Sequence, residues 1–164
     1  MPNIFLLAIE LTAVCCDLCM NKIPNALTVG GMILGAACQW SANGPPGLRE
    51  FAFGAILPVI VLGALHYFRM LGAGDIKLLM AAGGFLGSEK SLECIFLSFL
   101  CAAAISAAVL IKHRILRQRL NYFCEYIHDY KRNGKWVPYI KHAENPAYLH
   151  FSIPICFGTL LLFI

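Results

Sequence analysis

Residues 51–70 read FAFGAILPVIVLGALHYFRM, and residues 71–87 continue LGAGDIKLLMAAGGFLG. The first run is long enough to cross a bilayer, because a spanning helix needs about 20 mostly apolar residues. The second follows at once, with Arg69 at the junction and Asp75 a short way in. Outward from this pair the same texture recurs. Six apolar segments can be marked out: Asn3–Met20, Ala26–Trp40, Phe51–Met70, Leu71–Gly87, Leu92–Ile111 and Leu149–Ile164. The expectation is an all-α polytopic membrane protein with about six transmembrane helices. The second and sixth segments are short for a span, so their ends must borrow interfacial residues.

Composition agrees. The 164 residues are 59% hydrophobic and only 13% charged, with a mean hydropathy of +0.70. A soluble domain usually carries about a quarter charged residues. One membrane-embedded domain over 1–164 is expected. The first apolar stretch has no basic leader and no small-residue cleavage site, so it is expected to stay in the mature protein.

A net charge of +4 raises the question of nucleic acid, but the basic residues sort by membrane side instead. With the turn at Lys22 placed in the cytoplasm, Arg69, Lys77, Lys112, Arg114, Arg117, Arg119, Lys131, Arg132, Lys135 and Lys141 fall on the same side, and only Arg49 and Lys90 fall outside. That distribution is what the positive-inside rule requires. It places both termini outside the cytoplasm and leaves no nucleic-acid surface.

Local signals explain the breaks. Asn-Lys-Ile-Pro-Asn at 21–25 stops the first helix, because Pro24 disfavours helical geometry at Ile23, and Asn25 is positioned to cap the next. Residues 41–47, SANGPPG, form a dense turn signal. Pro58 lies inside the third segment, which a membrane helix tolerates when a neighbour satisfies the freed carbonyl. Gly31 with Gly35, and Gly83 with Gly87, have the spacing that lets helices approach closely. The stretch 112–148 is the one sizeable polar tract. In it Leu116, Leu120, Phe123, Ile127 and Tyr130 form an apolar stripe opposite basic residues, as in an amphipathic helix lying on anionic lipid. Seven of the eight cysteines lie in or beside apolar runs and Cys124 lies in the polar tract. Buried thiols of this kind behave as small hydrophobes, and the single C-x-x-C pair, Cys16 and Cys19, has no second pair to complete a zinc site. No metal and no cofactor is expected.

Three of the nine acidic residues lie within apolar runs: Glu10, Asp17 and Asp75. An ionisable group in a membrane helix costs on the order of 2.5 kcal/mol or more at the bilayer centre and is a functional candidate by default. Asp17 precedes Lys22 by about 7 Å of helix rise, and Asp75 follows Arg69 by about 9 Å. Two carboxylates on different helices are thereby set at one depth below one face, as an acid–base pair requires. Glu10 shares the Asp17 face of its helix but lies about 10 Å away, and reads as a buried polar contact with another helix. Gly72 and Gly74 precede Asp75 and permit a close backbone approach, against which an extended peptide could lie.

The run Asp17-Leu-Cys-Met-Asn-Lys-Ile-Pro-Asn25 resembles the first aspartate motif of type IV prepilin peptidases, and Gly72-Ala-Gly-Asp-Ile-Lys-Leu78 resembles their second. The likeness implies that Asp17 and Asp75 are the catalytic pair of a membrane aspartyl endopeptidase. Gly72, Gly74, Lys77, Lys22, Pro24 and Asn25 are then motif residues near the substrate. It also implies a type IV prepilin or pseudopilin-like precursor as substrate, with a short leader followed by an apolar helix, and a place in the bacterial cytoplasmic membrane. Larger members carry a zinc-binding cytoplasmic segment and N-methylate the product; that segment is lacking here, so methylation is not implied. Cys19 stands where relatives often have a basic residue. Lys77 marks the interface or attracts a substrate carboxylate. The alternative from a different class is a small transporter or assembly scaffold whose two aspartates bind a cation.

Overall fold

The computed structural model describes residues 2–68, 70–112, 128 and 150–163. Among them are six helices and no strand: α1 (Pro2–Met20), α2 (Asn25–Asn43), α3 (Pro45–Tyr67), α4 (Ala73–Leu86), α5 (Ser88–Lys112) and α6 (Ser152–Leu161). The chain divides into two compact units, Met1–Ala102 with His150–Ile164, and Ala103–Leu149. Of the second unit the end of α5 and His128 are described. The apolar stripe from Leu116 to Tyr130, Arg69 and Cys124 lie outside the described residues.

Each of the six expected segments contains a helix, but the lengths differ in an informative way. Asn3–Met20, Pro45–Tyr67 and Ser88–Lys112 are long and apolar enough to cross a membrane. The other three do not combine that length with that apolarity. Helix α4 has 14 residues, about 21 Å of rise, against a hydrocarbon core of about 30 Å; α6 has 10. Protein covers α4. Its Ile76, Leu78, Leu79, Ala81, Ala82 and Phe85 are all buried, and α2 and α3 pack most extensively against it. Helix α1 packs on α6, α2 and α4. Ile33, Ile60 and Phe96 point outward, where lipid is the matching solvent.

Turn chemistry sets the corners. The dense turn signal at 41–47 collapses to one residue, Gly44, whose φ of 62° belongs to the left-handed region. Pro45 and Pro46 open α3 directly, because proline is pre-organised for the first turn of a helix and lacks only an N–H that would go unpaired there. At the far end of α4, Gly87 has φ 85° and its N–H closes on the Gly83 carbonyl at 2.9 Å. Gly83 and Gly87, read from sequence as a packing pair, therefore do different work: Gly87 is the turn, and Gly83 lies against the Gly54 backbone of α3 with no room for a methyl. Gly31 and Gly35 do pack, against Ile9 and Ala81 and against Phe85 and Phe51.

Pro58 removes the N–H that would bond the carbonyl of Gly54, four residues back. Ser91 of α5 supplies the missing donor, its hydroxyl bonding that carbonyl at 2.9 Å. The hydrogen bond lost within α3 is replaced from the neighbouring helix, as a lipid-surrounded backbone demands.

Candidate active site

Helix α1 stops at Met20. Asn21 enters the left-handed region at φ 50°, and its N–H closes on the carbonyl of Asp17 at 2.8 Å. Asparagine is among the few non-glycine residues that visit this region routinely, and the bond satisfies one of the carbonyls a helix leaves open at its C-terminus. Pro24 follows in extended conformation, ψ 133°. Asp17 thus occupies the last turn of α1. Its side chain points inward, is only 7% exposed, and accepts a hydrogen bond from the Ser152 hydroxyl at 2.6 Å on Oδ2.

Asp75 occupies the first turn of α4, with Gly72 as the N-cap. Its carboxylate turns back toward that cap, where the Gly72 backbone hydrogen-bonds it. An acidic side chain three residues into a helix that returns to the cap N–H satisfies an orphan donor and complements the helix dipole. A Cβ on residue 72 would stand 2.9 Å from Asp75 Oδ2, so glycine is what permits the fold-back. Gly74 differs: a Cβ there would make only ordinary contact with Ile23, at 3.4 Å.

These two helix ends come together. Helices α1 and α4 pack on each other, and the charges of Asp17 and of His150 both act on Asp75. The turn of the first motif is tied to the second at two points, by the Gly74–Ile23 contact and by Lys77 Nζ donating to Asn25 Oδ1 at 2.8 Å. This overturns the capping role expected of Asn25. Pro24 is the N-cap of α2, with no side-chain group able to cap it; Asn25 is the first helical residue, and its amide oxygen accepts from the lysine instead. Lys22 is exposed in the turn and Pro24 half-buried.

With both motifs at one end of one unit, comparison with known families has a geometry to meet. A family model described as the type IV leader peptidase family matches residues 4–107, more than half of the chain. This chain belongs to the type IV leader peptidase family. Membership supports a prepilin-type peptidase, a protease acting on prepilin-like substrates. Comparison with curated proteins and with solved structures returned no match.

In this family member, residues that the sequence did not single out lie beside the candidate pair. His150 lies at 3.0 Å from Asn21 Oδ1 through Nε2, and Ser152 lies on Asp17. Deeper in the same unit Glu10 is fully buried. Its Oε1 accepts from Thr159 Oγ1 at 2.7 Å, its Oε2 has no hydrogen-bond partner among the described residues, and Cys94 Sγ stands 3.4 Å from the same threonine. One signal was available. Ser152 and Thr159 are spaced seven apart, as are Glu10 and Asp17, so two antiparallel helices can join both pairs at once.

Proposed function

We propose that the chain is a membrane aspartyl endopeptidase that removes the leader of a type IV prepilin-like precursor at the cytoplasmic face, with Asp17 and Asp75 as its catalytic pair. The observation that carries the reading is the meeting of Asp17 and Asp75, from two motifs far apart in the chain, within electrostatic range of each other in a member of the leader peptidase family. Two carboxylates so placed can divide the work of general base and general acid between them. The ionised member takes a proton from water, and the oxygen of that water bonds to the scissile carbonyl carbon. The protonated member hydrogen-bonds the carbonyl oxygen as charge develops on it. Collapse breaks the C–N bond, and the leaving nitrogen takes a proton from the pair. Because one member acts as base and the other as acid, a bell-shaped pH–rate profile is expected.

The substrate fits by its own physics. A leader followed by an apolar helix lies in lipid beside the enzyme and presents the junction at the membrane face. Lys22 and Lys77 at the aspartate end, and Arg49 and Lys90 at the ends of helices on the other side, support the cytoplasm as the side of the site. On that reading six helices cross or dip into the bilayer and both termini lie outside.

The test is leader removal from a pilin-like precursor in reconstituted vesicles. Asp17→Asn and Asp75→Asn should each lower the rate by about 10²-fold or more, the usual scale for a positioned acid–base group, while inserting and melting like the parent chain. Full cleavage by either variant would sink the proposal. Cation flux without any cleavage would favour the transport reading.

A further inference from the structure

We infer that Ser152 is a positioning residue for this reaction, holding Asp17 so that Asp17 is the carboxylate that takes the proton from water. The inference rests on the catalytic pair proposed above and assigns the two roles within it. Ser152 lies outside residues 4–107, the part that the family model matches, so its place in the site comes from the fold alone. Its hydroxyl is completely buried and donates to Oδ2 of Asp17 at 2.6 Å, a length typical of a hydroxyl bonded to a carboxylate. With Oδ2 so engaged, Oδ1 is the oxygen left to take a proton. Asp75, half-buried at the mouth of α4, is then the member that hydrogen-bonds the substrate carbonyl.

The start of α6 is fixed in register by contacts on either side of Ser152. Two residues earlier, His150 Nε2 pairs with Asn21 Oδ1 at 3.0 Å, on the turn that ends α1. Gly158 lets α6 lie directly on the Ser98 backbone of α5, where a methyl would overlap it. The serine is therefore held on a rigid element, and its hydroxyl arrives at the aspartate with its direction set. Losing a charge-assisted bond to a reacting carboxylate is expected to lower the rate about 10-fold or more.

Three variants in reconstituted vesicles with a pilin-like precursor test this. Ser152→Ala should lower kcat at least about 10-fold and leave KM within about twofold, because the bond acts on a reacting group and not on substrate binding. Ser152→Cys keeps the size but donates weakly, and its kcat should fall between the two. Thr159→Val removes the equivalent bond one heptad deeper and serves as the packing control: its melting temperature should fall while kcat stays within about twofold. The inference is overturned if Ser152→Ala and Ser152→Cys both keep kcat within twofold, if their loss appears in KM instead, or if Thr159→Val lowers kcat as much as Ser152→Ala. Failure here with Asp17→Asn still inactive would remove only the role of Ser152. Cleavage by Asp17→Asn would remove the catalytic pair itself.

Discussion

A methyl group at position 72 would stand 2.9 Å from Asp75 Oδ2, closer than a carbon and a carboxylate oxygen can rest. Gly72→Ala should therefore push the carboxylate off its helix cap while leaving the core untouched. Misplacing a reacting group by about 1 Å costs on the order of 10²-fold, so a fall in kcat of about 10-fold or more is expected, with little change in melting temperature. Gly74→Ala is the comparison: its new Cβ meets Ile23 at ordinary contact distance, and its kcat should stay within about threefold. Steady-state kinetics on the two variants separate the glycines that the sequence presents as a pair. At this scale the two aspartates were legible because a charge inside an apolar run is costly and so stands out. Gly72 was legible only as a backbone freedom. What it makes room for, the returning carboxylate, depends on a side-chain rotamer that no spacing rule states. Asn25 shows the opposite outcome: a good local cap in sequence, it is drawn away by a lysine 52 positions along.

Within the helices, the freed carbonyl of Gly54 links three elements. Pro58 of α3 creates it, Ser91 of α5 satisfies it, and Gly83 of α4 lies against it with no space for a side chain. Ser91→Ala should cost about 1–3 kcal/mol, the penalty for a buried acceptor left without a donor. Unfolding of the purified protein in mixed detergent measures it. Gly83→Ala should cost more than Ser91→Ala, since its methyl meets backbone carbonyl as well as the serine hydroxyl and neither helix can withdraw without breaking other contacts. The proline and its need for an outside donor were readable in the sequence. The identity of the donor was not, because it required knowing that α5 passes beside α3. Helix lengths went the same way: α4 looked like a span by hydropathy, yet it is a short helix enclosed by its neighbours, and apolarity alone does not tell lipid from protein as the surrounding medium.

For the molecule as a whole, the side of the membrane that holds the site is the proposal with the widest consequence. A fluorescent protein fused after Asn21 should fold and fluoresce in the cytoplasm, and alkaline phosphatase fused after Gly44 should be active on the opposite side. The reverse pattern would overturn the charge-based orientation and with it the face at which the leader is cut. The sequence by itself determined that the chain is helical and apolar, where the turns between the helices fall, and that three carboxylates, Glu10, Asp17 and Asp75, lie inside apolar runs, because hydropathy, turn chemistry and the energy of a buried charge act through near neighbours in the chain. Only the tertiary structure decided that α6 lies along α1, that Ser152 reaches Asp17 across 135 positions, and that Thr159 reaches Glu10 across 149. A hydrogen bond is a matter of a few tenths of an ångström and a direction, and both are fixed by how helices pack, which no local pattern of residues records.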